Sequence, residues 1–179
     1  MKATIQIHDR KFAEIISYEK IVHRIKQISD EISAEYKNLT PVFLPVLNGS
    51  FMFAADLMKA FQFPAEIEFV NAKSYQGTSS TGKVLVETYF KQPVKNKHLI
   101  IVEDIVDTGL TMQKLIAKLK GEEPASISII TLLDKPEAHK VPVDIKITGF
   151  NIKNEFVVGY GLDYDGLGRN LLGIYQEVD

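Results

Sequence analysis

The segment HLIIVEDIVDTGLTMQKLIAKLKG, residues 98–121, constrains the fold more than any other. Leu99, Ile100, Ile101 and Val102 form an apolar run of strand length that leads into Glu103 and Asp104. Asp107, Thr108, Gly109 and Thr111 follow, and Met112, Leu115, Ile116 and Leu119 then recur at helical spacing. A buried strand that feeds directly into an amphipathic helix packs against it, and the helix carries the chain back to begin a parallel strand. Gly121 stops the helix. ASISIITLLDK, 125–135, supplies the next buried strand.

The same order occurs upstream. Ile21, Ile25, Ile28 and Ile32 predict an amphipathic helix over 18–36. PVFLPVL, 41–47, reads as a strand, NGS as a turn, and Ser50 as a cap for the helix FMFAADLMKAF. AEIEFVNA, 65–72, alternates like one strand. KSYQGTSSTGK, 73–83, reads as a mobile loop, and VLVETYF resumes as a strand to complete a long hairpin. The last third reads as short strands and turns. The pattern predicts an α/β fold, with a mostly parallel twisted sheet flanked by helices, in a single domain over 1–179. Ligands in such sheets bind beyond the carboxyl ends of the strands. The turn NGS, the acids after LIIV and the pair Asp134, Lys135 are all expected at one crevice.

Composition narrows the chemistry. The formal charge of −2 shows no general affinity for nucleic acid. The cluster Lys91, Lys95, Lys97 and His98 reads as a solvated connection. With no cysteine, disulfides, thiolate metal sites and thiol nucleophiles are excluded. His8, His23, His98 and His139 lack paired metal spacing, which argues against zinc. No signal peptide or membrane-spanning run is seen, so the cytoplasm is the expected location and no membrane partner is expected.

Residues 107–111 supply two hydroxyls, a glycine and the start of a helix. A helix amino terminus offers unpaired N–H groups and a positive dipole end, which can cradle a phosphate. Neither the P-loop pattern nor a Gly-x-Gly-x-x-Gly fingerprint is present. Glu103 and Asp104 would repel a phosphate unless otherwise partnered; sugar hydroxyls and Mg2+ are suitable partners. The plainer alternative is a pair of solvated strand-end acids, with Asp107 as a helix cap. The whole constellation favours the functional reading.

LIIVEDIVDTGLTM resembles the signature of the type I phosphoribosyltransferases. KSYQGTSSTGKV, LLDK and EFVVGYGLDYDGLGRNL resemble the flexible loop, the purine-contacting strand end and the hood of the hypoxanthine-guanine branch. The resemblance spans roughly 15–178. It implies the type I fold, with a small hood formed by the N-terminal residues and about 146–179, and a flexible hairpin loop at about 73–83. It implies transfer of a phosphoribosyl group from 5-phosphoribosyl 1-diphosphate to N9 of hypoxanthine, and of guanine, with release of pyrophosphate.

The resemblance also implies site roles. Glu103, Asp104, Asp107, Thr108, Gly109, Leu110 and Thr111 would bind the ribose and 5-phosphate, with Asp107 the catalytic acid/base at the purine N7. Lys135 would meet the purine O6, Phe156 would stack on the ring, and Val157 would contribute backbone contacts. Asn48, Gly49, Ser74, Tyr75 and Arg169 would face the pyrophosphate. Asp163 would serve the purine side and, with Glu103 and Asp104, magnesium. Phe156 as a core residue is the simpler reading of FVVGY taken alone. Asn48 departs from the lysine common in this branch, and Ser50 is a candidate to compensate as a donor. The family sometimes places a non-proline cis peptide at this turn, and the sequence leaves open whether Leu47–Asn48 or Asn48–Gly49 is cis. Self-association as a homodimer or homotetramer is also implied. Rival readings are a regulator of pyrimidine control that binds nucleotide and RNA, against which the charge argues, and a nucleotide-binding module without catalysis.

Overall fold

The computed structural model describes residues 4–74, 84–88 and 90–178. The chain begins with an antiparallel hairpin, β1 (Thr4–Ile7) and β2 (Arg10–Ile16), and continues into α1 (Tyr18–Glu35). The four isoleucines expected on one face of α1 are all buried. Next come β3 (Val42–Leu47), α2 (Phe51–Ala60), β4 (Glu66–Ile67), β5 (Val70–Ser74) and β6 (Val84–Thr88). Then follow β7 (His98–Val106), α3 (Leu110–Lys120), β8 (Ser126–Asp134), β9 (Ile147–Asn151), β10 (Val157–Val158) and β11 (Ile174–Val178).

Among the described residues the larger sheet has the order β6-β5-β3-β7-β8-β9, with β4 also on β3. Apart from the antiparallel β5–β6 pair, its neighbours run parallel. Period-two alternation sorts the central strands between two helical layers. Phe43, Ile100, Val102 and Ile130 pack with α1 and α2. Leu44, Leu99, Ile101 and Ile129 pack with α3. The connections leave β3 in one direction and β7 in the other. The β3–β7 boundary is thus the switch point where a crevice opens.

The alternating stretch 65–72 is two short strands, not one. Both keep a single register on β3, and the gap between them lies opposite Leu44 and Pro45. Proline has no N–H to contribute to a ladder, which accounts for an interruption there. The expected loop also begins later: Lys73 and Ser74 are still in β5, and 75–83, which include Tyr75, lie outside the described residues.

A second, four-stranded sheet has the order β1-β2-β11-β10. It joins the two ends of the chain, with Lys11 opposite Val178 and Ala13 opposite Gln176. Ile7, Phe12 and Val158 form its small core. Ile147–Asn151 does not belong to it; β9 is the last parallel strand of the larger sheet. No helix among the described residues is long and apolar enough to cross a membrane.

Candidate active site

A cleft of about 420 Å³ opens at the carboxyl ends of β3, β7 and β8, beneath the segment leading to the second sheet. Asn48 and Gly49 reach it from β3, Glu103, Asp104 and Asp107 from β7, and Lys135 from β8. Phe156, Val157, Asp163 and Arg169 complete the opposite wall. A smaller hollow of about 80 Å³, lined by Asp107, Thr108, Gly109 and Thr111, adjoins it. The three expected strand ends do meet.

Glu103 and Asp104 are not strand-end acids in solvent. β7 runs on to Val106, and each acid is only 8% exposed. Burial pushes the Glu103 carboxyl well above the usual carboxylate range, and the Asp104 charge and the hydrogen bond between the two push it further. Burial also raises Asp104. The hydrogen bond from Glu103, backbone N–H groups and the Arg169 charge oppose that rise. One oxygen of Glu103, Oε2, is buried without a hydrogen-bond partner. Such an atom is costly unless a ligand uses it.

The turn after β7 is shaped by Gly109, which has φ of 80° and forms the N-cap of α3. That left-handed conformation suits glycine, and a Cβ here would also strike the side chain of Val143. Asp107 is therefore not the helix cap. The first N–H in α3 to be satisfied within this turn is that of Gln113, which donates to Gly109 O at 3.0 Å. Thr108, Gly109, Thr111 and Met112 of this turn line the small hollow, where an anion finds donors and the helix dipole. Lys140 N–H donates to Thr108 O at 2.9 Å, which braces the turn from behind.

Asp107 instead faces Lys135, with Nζ 3.2 Å from Oδ2. The Lys135 side chain is 8% exposed, whereas that of Asp107 is 48% exposed. A buried ammonium requires such a partner. The simple reading of Lys135 as a solvated residue is thus excluded. Phe156 reverses in the other sense: it is 38% exposed at the cleft rather than in the core.

Arg169 donates from Nη1 to Gly161 O at 2.6 Å and pairs from Nη2 with Asp163 at 2.7 Å. Asp163 also accepts from Gly166 N–H at 2.7 Å. The Leu47–Asn48 peptide is cis. Ser50 neither caps α2 nor serves the cleft: its buried hydroxyl donates back to Val46 O at 2.7 Å. Gly49 has no room for a side chain, since a Cβ would fall on the Asp104 carboxylate. Leu47, Ile105 and Leu162 also line the cleft and were not foreseen. Each adjoins a residue assigned to the site, Leu47 beside Asn48, Ile105 beside Asp104 and Leu162 beside Asp163, and that adjacency was the available signal.

Among the described residues no three carboxylates or imidazoles come together as a metal site. The paired acids with an orphaned oxygen fit a cation whose shell is completed by substrate oxygens and water, as magnesium favours.

The phosphoribosyl transferase domain model matches residues 13–165. The chain belongs to the phosphoribosyltransferase family. A hypoxanthine phosphoribosyltransferase of Buchnera aphidicola is 41% identical over 92% of this chain and 90% of its own length. A hypoxanthine-guanine phosphoribosyltransferase of Streptococcus pneumoniae is 39% identical over 91% and 92%. The solved hypoxanthine phosphoribosyltransferase of Trypanosoma cruzi superimposes with a TM-score of 0.87 at 36% identity, covering 97% of this phosphoribosyltransferase and 95% of that chain.

Proposed function

We propose that this phosphoribosyltransferase moves the 5-phosphoribosyl group of 5-phosphoribosyl 1-diphosphate to N9 of hypoxanthine, and of guanine, in purine salvage. The products are the nucleoside monophosphate and pyrophosphate. The observation that carries the reading is the Asp107–Lys135 pair in a cleft next to the open start of α3. N7 and O6 are neighbours on one edge of a 6-oxopurine, and these are neighbouring groups of matching kinds.

Thr108, Gly109, Leu110 and Thr111 hold the 5-phosphate through backbone N–H groups and hydroxyls. Glu103 and Asp104 accept hydrogen bonds from the ribose hydroxyls, and the unpartnered Oε2 of Glu103 supports that role for Glu103. Asp107 exchanges a proton at N7 as the base joins C1. Lys135 donates to O6. An amino group at that position, as in adenine, cannot accept this bond, so the site selects oxopurines. Phe156 stacks on the ring, and Val157 offers backbone groups beside it.

Asn48 and Gly49 face the leaving pyrophosphate through their backbone, which needs no lysine side chain. Arg169 supplies positive charge on that side, fixed in place by Asp163. Ser74 and Tyr75 are the further residues assigned to the pyrophosphate. Magnesium would be held by Glu103 and Asp104, with Asp163 on the facing side of the same cleft. Bound there, it supplies positive charge to the ribose and diphosphate oxygens. The hood over the cleft comprises the second sheet, and the enzyme self-associates as a dimer or tetramer.

The test is turnover by purified protein with magnesium and 5-phosphoribosyl 1-diphosphate. Hypoxanthine or guanine should be converted to its monophosphate. If hypoxanthine, guanine and xanthine all remain unchanged, the proposal is wrong.

A further inference from the structure

Phe156 lines the cleft with a partly free surface, but its ring is held by the ends of the chain. The Arg10 guanidinium on β2 lies over it, 5.4 Å from the ring centroid. The same guanidinium stands 4.8 Å from the Tyr164 centroid. Tyr164 meets Phe156 edge-on at 5.7 Å and 82°, and Phe12 approaches it at 6.1 Å. Glu177 on β11 holds Arg10 at 3.1 Å, and the Tyr164 hydroxyl donates to Asp9 at 2.8 Å.

Arg10 does not line the cleft. The cation thus lies over the ring without itself lining the cleft, which leaves the other face for a ligand. Both Arg10 and Glu177 also lie outside the residues matched by the family model.

A cation over one π face draws the ring's electron density toward itself. The opposite face becomes less negative and repels the π cloud of an electron-rich heteroaromatic ring less. The guanidinium also limits tilting of the ring. We infer that Arg10, held by Glu177, is a positioning residue that fixes and polarises Phe156 for stacking against the purine base. The inference rests on the proposed reading of the cleft and adds a base-specific role for the N-terminal hairpin.

Arg10→Met removes the charge and keeps a similar length; Arg10→Lys keeps the charge without the planar group. KM for hypoxanthine, KM for 5-phosphoribosyl 1-diphosphate and kcat would be measured for both. Arg10→Met should raise the hypoxanthine KM about two- to fivefold, with the other two parameters unmoved, and Arg10→Lys should recover part of the loss. If Arg10→Met does not fold, Glu177→Gln substitutes for it and should raise the hypoxanthine KM alone. An unchanged hypoxanthine KM, or a parallel rise in both KM values, overturns the inference while leaving the proposed function standing. A wild-type protein that turns over no purine overturns both.

Discussion

At the scale of single residues, the site is made of groups that would be unfavourable without a ligand. Glu103 has a buried oxygen without a partner beside a second buried acid. Glu103→Gln removes the ionisable group from this buried site, and its amide can donate to Asp104 as the carboxyl does. The ligand-free protein should gain about 1–3 kcal/mol, read as a rise in Tm, while kcat/KM falls about tenfold or more. An unchanged Tm would mean that the pair carries no strain. Asp107→Asn keeps the size of the side chain but cannot take or give the proton. A kcat reduced by about 10²–10⁴ is expected, with nucleotide affinity changed far less, as measured by steady-state kinetics and calorimetry. The identities of these residues were legible because acid pairs, hydroxyls and glycine in that order suit few roles. Their environments were not legible. The burial of Lys135 and the exposure of Phe156 depend on which distant segments cover them, and local sequence carries no record of that.

At the scale of elements, α2 and the segment after β10 are tied by Tyr160. Its ring is fully buried, and its hydroxyl donates to Asp56 on α2 at 2.5 Å. The adjoining Gly161, with φ of 104°, lies so close to Gly49 O that a Cβ would collide with it. Two walls of the cleft, one carrying Gly49 and the other Leu162 and Asp163, are thereby brought together. Tyr160→Phe should cost about 1–3 kcal/mol of stability, because the buried ring stays while its bond to a charged acceptor is lost. For a chain of this length that is a fall in Tm of about 2–4 °C per kcal/mol, measurable by calorimetry. The helices were read well because isoleucines at steps of four, three and four admit few other structures. Ser50 was misread because cap preference is local, whereas its hydroxyl found a buried carbonyl one turn back. The split of the stretch 65–72 was missed because alternation says nothing about the partner strand, where Pro45 interrupts the ladder.

At the scale of the whole molecule, one sheet provides strand ends, and the facing wall comes from Phe156, β10 and the segment that links β10 to β11 in the second sheet. The α/β order fixed where the cleft must lie. The pairing of 10–16 with 174–178 joins segments far apart in sequence, and short strands carry little signal for their partners. The central claim is that the start of α3 grips the phosphate end of a nucleotide while the buried acids serve its sugar. A crystal structure with inosine 5-monophosphate tests it most directly. The account predicts the phosphate against residues 108–111, the ribose hydroxyls at Glu103 and Asp104, and the base between Phe156 and the Lys135 side of the cleft. A phosphate bound elsewhere, with residues 103–111 untouched, would contradict it.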